Sequence, residues 1–429
     1  MKHSYSSGSP DTLVQETRQR ELVLLESQDY AHPSSKCSYL ACKPISKIYG
    51  YENRVTIELQ GETKHVTMNP WEAIREFRKQ TGGWLFGYLG YDLKNFSEKL
   101  TSKNKRLIAA PDFYLIQPEF IWYSANGEWR LIDGSEQKWR NEAVHNYDND
   151  EDVDISLSPM VARDEYIKHV QTIKHGIAEG EYYELNYSYP MMGTFRGAPY
   201  HLYQKMREIN PVPFGSFISA HNFSVCCASP ERFLKKTANR ILSEPIKGTS
   251  ARSENPAEDQ RLRGDLLNEK NKAENLMIVD LVRHDMSVVS KPGSVKVSKL
   301  FDIQSFGTVH QLISKVEAEV AENADPIDVI RSCFPMGSMT GAPKIRVMKA
   351  IDELEIYRRG IYSGAIGYID PEGNFDFNVV IRSAIISDGK LVYPVGGAIT
   401  SDSIAESEWD ETLIKSRTLT RIKNTGHNV

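Results

Sequence analysis

The sequence predicts an α+β fold built on antiparallel β-sheet. Two observations lead to this class. Short β-type runs follow one another over residues 22–132 and again over 182–246, with turn residues between them. Helical patterns are grouped apart from these runs rather than alternating with them. Consecutive strands of this kind pair antiparallel, whereas a parallel sheet requires alternating strands and helices.

Composition indicates a globular protein with an ample core and excludes several classes of function. A chain of 429 residues holds one large domain or two ordinary ones. The formal net charge of −5 gives no electrostatic footprint for nucleic acid, and no apolar run reaches the roughly 18 residues of a membrane span. The five cysteines contain no CxxC pair. We therefore expect reduced thiols in a cytoplasmic protein, without a zinc site or a disulfide framework.

The first third of the chain predicts a β-rich N-terminal subdomain over residues 21–150. Residues 1–20 are polar, and we expect them to be disordered. One helical pattern covers residues 71–80. The β-type runs lie at 22–27, 39–46, 54–60, 65–68, 84–93, 113–123 and 128–132. The segment 141–159 is acidic, poor in apolar residues and ends in proline, which is typical of a linker.

Residues 160–424 predict a second subdomain, which we expect to form one compact unit with the first. A helix is predicted over 163–179, because Ile167, Val170 and Ile173 recur at helical spacing. Further helices are predicted over 259–286, 326–334, 341–355 and 404–423. Strands are predicted over 182–191, 215–220, 223–236, 240–246, 310–320, 362–370, 377–389 and 390–399.

Carboxylates share apolar helical faces at two places in the chain. Glu274 shares a face of the predicted helix 259–286 with apolar residues, and Glu408 and Glu411 share a face of the last helix. A buried carboxylate must be paired, protonated or metal-bound. Two such helices are typical of a site for Mg²⁺, which takes oxygen ligands. The alternative is a pair of solvated acidic faces, with an i,i+4 pair between Glu411 and Lys415.

Several single residues have both a functional and an ordinary structural explanation. Lys247, near the end of a β-type run, is either a solvated surface charge or an amine made nucleophilic by its surroundings. His310 is either a hydrogen-bonded structural residue or a catalyst. Gly396 and Gly397 either close a turn or let a ligand approach the backbone. Arg382 lies inside an apolar β-type run and needs an anionic partner, such as a substrate carboxylate.

The glycine-rich segment 336–344 (MGSMTGAPK) precedes a predicted helix. Backbone NH groups at a helix start can cradle an anion, and a plain helix entry is the alternative. Taken together, the residues alone describe a cavity for a small polyanionic substrate and Mg²⁺.

Sequence blocks over most of the second subdomain resemble the chorismate-utilising enzymes. They include SPERF (229–233), PIKGT (245–249), AENLMIVDLVR (273–283), YSGAIGYID (362–370), GGAITSDS (396–403) and ESEWDETLIKS (406–416). This family contains component I of anthranilate synthase and of aminodeoxychorismate synthase, with isochorismate and salicylate synthases. The resemblance implies the fold of anthranilate synthase component I, with two large antiparallel β-sheets packed face to face and helices on the outside. It also implies Mg²⁺-dependent chemistry on chorismate.

The resemblance assigns roles to individual residues. For catalysis it implies Lys247 as nucleophile, Glu231 as general acid/base and His310 near the departing 4-hydroxyl. The implied magnesium ligands are Glu274, Glu411 and, through a water molecule, Glu408. For substrate binding it implies Thr249 and Ser338, Arg382 and Tyr362 at the enolpyruvyl carboxylate, and Gly396, Gly397 and Lys415 at the ring carboxylate.

Lys247 selects one reaction within the family. Anthranilate synthases carry alanine at this position, whereas PIKGT resembles the aminodeoxychorismate synthases. The resemblance implies that the lysine attacks ring carbon 2 as the 4-hydroxyl leaves. Ammonia then enters at carbon 4 and gives 4-amino-4-deoxychorismate, on the route to 4-aminobenzoate and folate. The amine needs a depressed pKa, which we expect burial and a nearby divalent cation to supply. The ammonia would come from a separate glutamine amidotransferase subunit.

Two alternatives stay open from the sequence. The run LLES, which contains Ser27, resembles the anthranilate component, whose N-terminal pocket binds tryptophan. Pro213 and Phe214 match positions around that pocket. Anthranilate synthase component I is therefore the alternative enzyme, with tryptophan as a second ligand. The alternative outside the enzymes is a catalytically silent subunit that senses an aromatic amino acid or scaffolds an amidotransferase.

The chain departs from the family pattern at three positions. Glu184 stands where the family usually has glutamine, which adds a carboxylate near the site. Ser250 replaces the usual arginine, and His284 replaces the usual asparagine. Isochorismate and salicylate synthesis are disfavoured, since a water-activating lysine would be expected where Glu184 stands.

Overall fold

The computed structural model describes residues 6–7, 9–17, 21–28, 37–125, 127–142, 152–306 and 309–424. The strands of the first third are β1 (Ser6–Ser7), β2 (Leu22–Glu26), β3 (Cys37–Tyr51), β4 (Arg54–Leu59), β5 (Glu62–Thr67), β6 (Leu85–Leu89), β7 (Phe113–Ala125) and β8 (Glu128–Asp133). Its helices are α1 (Pro10–Glu16), α2 (Pro70–Thr81), α3 (Lys94–Ser97) and α4 (Glu136–Glu142).

The rest of the chain adds further strands and longer helices. The strands are β9 (Asp154–Pro159), β10 (Glu184–Arg196), β11 (Phe214–Ser219), β12 (Ser224–Ser229), β13 (Arg232–Thr237), β14 (Arg240–Glu244), β15 (Ile246–Ala251), β16 (Lys296–Ser305), β17 (Val309–Glu319), β18 (Gly341–Ala342), β19 (Ala365–Ile369), β20 (Phe375–Asn378), β21 (Ser383–Ser387) and β22 (Lys390–Ile399). The helices are α5 (Arg163–Ala178), α6 (Pro199–Ile209), α7 (Pro256–Asp265), α8 (Glu269–Ser287), α9 (Pro326–Cys333), α10 (Lys344–Leu354) and α11 (Ala405–Asn424).

The strands form one continuous hydrogen-bonded network centred on the long pair β3 and β7. From β3, one half continues through β2, β11, β12, β21 and β22 to β10. From β7, the other half continues through β6, β19, β20, β13 and β14 to β17. All of these pairings are antiparallel, as the run of consecutive β-type segments predicts. Strands of both predicted subdomains pair with each other in both halves.

Apolar side chains form three buried clusters that separate the layers. The central cluster combines side chains of both halves, such as Val23 and Ile385 from the first and Phe86 and Ile366 from the second. A second cluster packs α5, α6 and α11 on the outer face of the first half. The third packs α2, α8 and α9 on the outer face of the second half. The predicted face-to-face layers with helices outside are confirmed, although hydrogen bonds join the two layers into one sheet.

None of the helices in the described ranges is both long and apolar enough to cross a membrane.

The expectation of disorder over residues 1–20 is wrong for residues 9–17. Ser9 caps α1 with its side chain. Leu13 and Val14 are fully buried in the outer cluster of the first half. Tertiary burial of two side chains stabilises this short helix, and the polar composition of the segment as a whole does not reveal it.

Two predicted segments begin or end at other residues in the structure than the sequence predicts. The segment 141–159 is only partly a linker, because its last residues form β9, which pairs with β10 and buries Ile155. Residues 143–151 lie outside the described residues. The predicted helix over 259–286 consists of α7 and α8, because Asn268 begins a new helix with a side-chain cap.

The sequence pattern misses β16 and α6. No residue of β16 is fully buried, so the strand lacks the apolar alternation by which strands are recognised. Helix α6 lies between predicted strands, and two of its four buried residues are tyrosines, which occur in strands as readily as in helices.

A buried ion pair ties several of these elements together. Arg359 and Glu355 are each 3% exposed. The Arg359 guanidinium donates to the Glu355 carboxylate at 2.6 and 2.9 Å and to the backbone oxygens of Met339 at 2.6 Å and Asn186 at 2.7 Å. Glu355 also accepts hydrogen bonds from the NH and the hydroxyl of Ser188. The pair therefore fixes β10, the turn before β18 and the segment before β19 relative to one another.

Substituting Arg359→Met should destabilise the fold strongly, because it leaves Glu355 buried without a counter-charge. Breaking a buried pair from one side costs about 3–5 kcal/mol, and urea unfolding measures the loss. Arg261→Met is the matched control, because Arg261 makes exposed helical pairs on α7 and should change stability much less. Similar losses in both variants would contradict the role assigned to the buried pair.

Candidate active site

A cleft of about 660 Å³ opens between α8, α11 and strands β15 and β22. This volume lies within the range of about 300–1,000 Å³ that is usual for small-molecule sites. The cleft lining includes most of the residues that the sequence singles out: Glu231, Lys247, Thr249, Glu274, Ser338, Tyr362, Arg382, Gly396, Gly397, Glu408, Glu411 and Lys415. The structure therefore brings the residues predicted for catalysis, substrate and metal into one cavity, with His310 as the exception.

Lys247 lies on β15 and is 9% exposed. The pairing of β15 with β17 shifts register between Ile246 and Thr249, where Gly248 adopts a φ of 84° that favours glycine. The Lys247 ammonium donates a hydrogen bond to Glu184 Oε1 at 2.8 Å. Lys247 is therefore a buried, paired cation, which excludes the solvated surface charge considered from the sequence.

Carboxylates dominate the surroundings of Lys247. Burial lowers the pKa of its ammonium, but Glu184, Glu274 and Glu231 together outweigh burial and raise the pKa above its ordinary value. Burial alone is therefore not enough to depress this pKa, and the contribution expected from a divalent cation stays a prediction. Because the ammonium form is stabilised, a nucleophilic role requires a neighbouring group that accepts the proton.

Glu231 lies in the turn between β12 and β13, and its backbone NH donates to the Ser229 hydroxyl. Burial raises the pKa of its carboxyl to about 7, although the Ser338 hydroxyl, the Lys247 ammonium and the Ile246 backbone each lower it. A carboxyl group that titrates near neutral pH can both donate and accept a proton, as general acid/base catalysis requires.

Three carboxylates from two helices face the cleft. Lys270 Nζ lies 3.9 Å from Glu274 Oε1 and 3.8 Å from Glu408 Oε1. Burial raises the pKa of Glu274 and of Glu408. Glu411 is exposed at the cleft rim, and its carboxylate forms the predicted i,i+4 pair with Lys415 at 2.8 Å. Burial raises the pKa of Glu411, but Lys415 outweighs it and keeps the pKa below its ordinary value.

The donor set of these carboxylates fits a hard cation. In the part of the chain that the structure describes, no group of three or more acidic, His or Cys side chains is close enough to hold a metal ion. The Lys270 ammonium nevertheless lies 3.9 Å from a Glu274 oxygen and 3.8 Å from a Glu408 oxygen, so both carboxylates face the same cation. Carboxylate oxygens are the ligands that Mg²⁺ prefers, usually one or two together with water and an anionic substrate.

Arg382 lies in a break between β20 and β21, where the sequence predicts one continuous strand. Its φ of 51° is unusual for a residue other than glycine, and an uninterrupted apolar run does not reveal such a break. Burial lowers the pKa of the guanidinium, although Tyr393 raises it. No acidic side chain among the described residues forms an ion pair with Arg382. A desolvated guanidinium on a cleft wall is suited to binding a carboxylate.

Gly396 and Gly397 lie inside β22 and pair with β10, so the explanation as a closing turn is wrong. A Cβ on Gly396 would lie 2.4 Å from the Tyr187 carbonyl oxygen, so this glycine allows the strands to pair. A Cβ on Gly397 would stand 3.5 Å from Glu408 Oε2 and 3.6 Å from Lys415 Nζ. Gly397 therefore leaves space beside the charged groups of the cleft.

His310 is not part of the cleft lining, and its place near the reacting hydroxyl stays a prediction. Its Nδ1 shares a hydrogen bond of 2.7 Å with the Ser305 hydroxyl, and its Nε2 lies 3.0 Å from Asp259 Oδ1. Because side chains alternate along β17, the cleft is lined by the two neighbours of His310, Val309 and Gln311.

Sequence reasoning missed four polar residues of the cleft lining: Asn186, Lys270, Asn271 and Gln311. Lys270 stands four residues before Glu274, a spacing that is visible in the sequence. Asn186 and Gln311 come from strands and carry no distinguishing pattern; the Asn186 side chain donates to the Ser338 backbone oxygen at 3.2 Å.

The segment 336–344 contributes Ser338 to the cleft through a short helical turn. Its Lys344 does not face the cleft, since its ammonium donates to Asp285 at 2.5 Å and to the Pro335 backbone oxygen at 2.9 Å. Asp285 lies on the same helix as Glu274, but it forms an ion pair with Lys344 outside the cleft.

Of the three residues that depart from the family pattern, Glu184 alone contacts a residue predicted for catalysis, which is Lys247. The Ser250 hydroxyl donates to the Leu262 backbone oxygen. His284 is exposed on α8, and it is not part of the cleft lining.

A second cavity of about 90 Å³ has Pro213 and Phe214 in its lining, together with Glu26. Ser27 is buried outside this lining, and its backbone NH donates to the Ser38 hydroxyl at 3.0 Å. The cavity is smaller than the roughly 300 Å³ at which ligand pockets usually begin.

Comparison with known proteins agrees with the motifs. A family model described as chorismate binding enzyme matches residues 21–421. Aminodeoxychorismate synthase component 1 of Bacillus subtilis (strain 168) is 30% identical over 431 residues, which cover 93% of this chain and 91% of that protein. The chloroplastic aminodeoxychorismate synthase of Arabidopsis thaliana is 45% identical over 267 residues, which cover 61% of this chain. The match spans only 29% of the length of that plant protein.

The fold has a solved counterpart. Anthranilate synthase component I from Streptococcus pneumoniae TIGR4 matches with a TM-score of 0.78 and 25% identity, covering 91% of this chain and 93% of that one. The family match includes both predicted subdomains and every residue of the cleft lining. The chain therefore belongs to the family of chorismate-binding enzymes.

Proposed function

We propose that the protein aminates chorismate at ring carbon 4 and forms 4-amino-4-deoxychorismate. The observation that carries the proposal is Lys247, buried at the wall of the cleft, because this lysine distinguishes the chain from the alanine-containing anthranilate synthases. The names of the relatives from Bacillus subtilis and Arabidopsis thaliana support the same activity.

Chorismate carries two carboxylates, and the cleft offers a cationic group for each. Arg382, with Tyr362 beside it in the lining, takes the enolpyruvyl carboxylate. Lys415 takes the ring carboxylate together with the backbone of Gly396 and Gly397; its ammonium already contacts the Gly396 carbonyl oxygen at 2.8 Å. The two anchors orient the ring between Lys247 and the acidic helices.

The proposal includes Mg²⁺ as cofactor. Glu274 and Glu411 would hold it, and Glu408 would act through a water molecule. When bound, the ion supplies positive charge at the ring carboxylate and offsets the repulsion between that group and the carboxylates of the cleft.

Glu231 donates the proton that the leaving group needs and later accepts one. In its acid form the carboxyl donates a proton to the 4-hydroxyl oxygen, which departs as water while the Lys247 amine bonds to carbon 2. The resulting carboxylate accepts a proton when ammonia enters at carbon 4 and the lysine is released. A pKa of about 7 suits both steps.

The proposed source of ammonia is a glutamine amidotransferase subunit. The relative from Bacillus subtilis is named component 1 of its synthase, which supports a second component for this chain as well. Free ammonium salts replace the partner in the experiments below.

Two other functions are less well supported. Anthranilate synthesis is favoured by the likeness to the enzyme from Streptococcus pneumoniae but opposed by Lys247. Glu231, Lys247 and Glu274 lie in one cleft. This argues against a catalytically silent binding subunit, which would not need these residues.

The product formed from chorismate, Mg²⁺ and ammonium tests the function. We expect a product that aminodeoxychorismate lyase converts to 4-aminobenzoate, detected by chromatography. Lys247→Ala should abolish this product while the Mg²⁺- and chorismate-dependent rise in Tm remains. Lys272→Ala, on α8 outside the cleft lining, is the matched control and should retain activity. Direct formation of anthranilate by the unmodified protein would contradict the proposal.

The role of Glu231 predicts a pH dependence. Because its pKa is raised to about 7, the acid form that protonates the leaving hydroxyl is lost as pH rises through 7, and the rate should fall in that range. The concentration of free ammonia must be held constant in the measurement. Glu231→Gln should lower kcat by roughly 10²–10⁴-fold and remove this limb of the profile. An alkaline limb that survives in the variant would show that another group titrates.

The second cavity is the proposed place for tryptophan. Because about 90 Å³ is too small for an indole side chain, we expect binding to require movement of the walls near Phe214. Calorimetry with tryptophan should show binding that Phe214→Ala weakens, with Phe223→Ala, in the central core outside this cavity, as control. Absence of heat in the unmodified protein would remove tryptophan from the proposal.

A further inference from the structure

Glu184 stands behind the wall of the cleft in contact with Lys247. It is the first residue of β10, it is 0% exposed, and it is not part of the cleft lining. Its Oε1 accepts the Lys247 hydrogen bond of 2.8 Å, whereas its Oε2 is buried without a hydrogen-bond partner among the described residues. A buried carboxylate with an unpaired oxygen is costly, and the neutral acid form lessens that cost.

Other carboxylates face Lys247 without contacting it. They come from the turn after β12, from α8 and from α11: Glu231, Glu274 and Glu411. In the proposed function these groups are occupied with the leaving hydroxyl and the cation. Among the described residues, Glu184 is the acceptor that hydrogen-bonds to the Lys247 ammonium. A glutamine at this position could hold the lysine in place but could not take its proton.

We propose that Glu184 accepts the proton of Lys247 when the lysine becomes a nucleophile, and returns it when the lysine is released. The proposal rests on the proposed function, since it requires that Lys247 bond to chorismate. Transfer across a hydrogen bond of 2.8 Å turns a buried ion pair into a neutral pair. In a site shielded from water this exchange costs far less than moving the proton to solvent.

The steps balance in protons and electron pairs. The ammonium proton moves to Glu184 Oε1, and the amine lone pair forms a bond to ring carbon 2. The ring double bonds shift towards carbon 4, where the C–O bond breaks and the hydroxyl leaves as water with the proton of Glu231. Ammonia then bonds to carbon 4 and gives its surplus proton to the Glu231 carboxylate, the double bonds shift back, and Lys247 leaves carbon 2 with the bonding pair as a free amine. Glu184 returns its proton and restores the ion pair.

Single-turnover experiments without ammonia isolate the first half of this sequence. Chorismate and Mg²⁺ are mixed with the full chain, and intact-mass spectrometry follows the adduct on Lys247, whose mass is that of chorismate less water. The adduct rate is measured between pH 6 and pH 9 for the unmodified protein, Glu184→Gln and Glu184→Asp. Glu181→Gln, an exposed carboxylate on the same segment that pairs with Arg346, is the matched control.

The ratio of the Glu184→Gln rate to the unmodified rate is the decisive quantity, because any titration of Glu231 cancels in it. In the variant the lysine proton must leave to solvent, so the ratio should rise with pH, by up to about tenfold per unit for one ionisation. Glu184→Asp keeps a carboxylate and should give a ratio that is nearly flat, as should Glu181→Gln.

Four outcomes would overturn the inference. A ratio for Glu184→Gln that is constant with pH would assign Glu184 a structural role, since misplacement of the lysine slows the reaction equally at every pH. Loss of the chorismate- and Mg²⁺-dependent Tm shift in this variant would do the same. Absence of any Lys247 adduct in an unmodified protein that still aminates chorismate would overturn the inference but leave the proposed function standing. Failure of the unmodified protein to aminate chorismate would instead overturn both.

Discussion

The buried pair of Arg359 and Glu355 is the constraint on which the cleft depends. Burying two charges is costly unless nearly every donor and acceptor is satisfied. Here the guanidinium reaches the carboxylate and the backbone oxygens of Met339 and Asn186, and Glu355 also binds the backbone NH of Ser188. These partners belong to separate stretches of chain that each border the cleft. The pair thus holds Asn186 on one wall and the turn that carries Ser338 on another, without itself facing the substrate.

Within this frame the cleft combines charges of both signs. Arg382 lies in the break before β21, whereas Lys415 lies on α11 and pairs with Glu411 at 2.8 Å. Glu274 and Glu408 lie on the outer helices, and repulsion from other carboxylates helps to raise their pKa values. A purely acidic cleft would repel chorismate and a purely basic one would not hold a divalent cation. The arrangement therefore suits a ternary complex of anion and metal better than either ligand alone.

The sequence predicted the fold class and most of the charged residues of the cleft because both depend on local patterns. Consecutive β-type runs predict antiparallel pairing, and motif residues such as Lys247 and Arg382 keep their chemistry wherever the fold places them. The sequence missed features that a linear pattern does not contain. The one-residue alternation of β17 directs Gln311 rather than His310 to the cleft. Residues brought together from distant segments, such as Asn186 and Met339 around Arg359, have no signature in the sequence.

The charge on Lys247 decides how the proposed site must work. A depressed pKa would make the amine available at all times, including when no substrate is present. The surrounding carboxylates instead hold the ammonium form. The same carboxylates lose much of their effect once a cation and a proton are shared among them, because each neutralised neighbour weakens the field that stabilises the ammonium. In the proposed function, nucleophilicity at Lys247 is thereby tied to filling the cleft. An amine that becomes reactive only in the loaded site is protected from other electrophiles, which a permanently neutral lysine in the wall of a 660 Å³ cleft would not be.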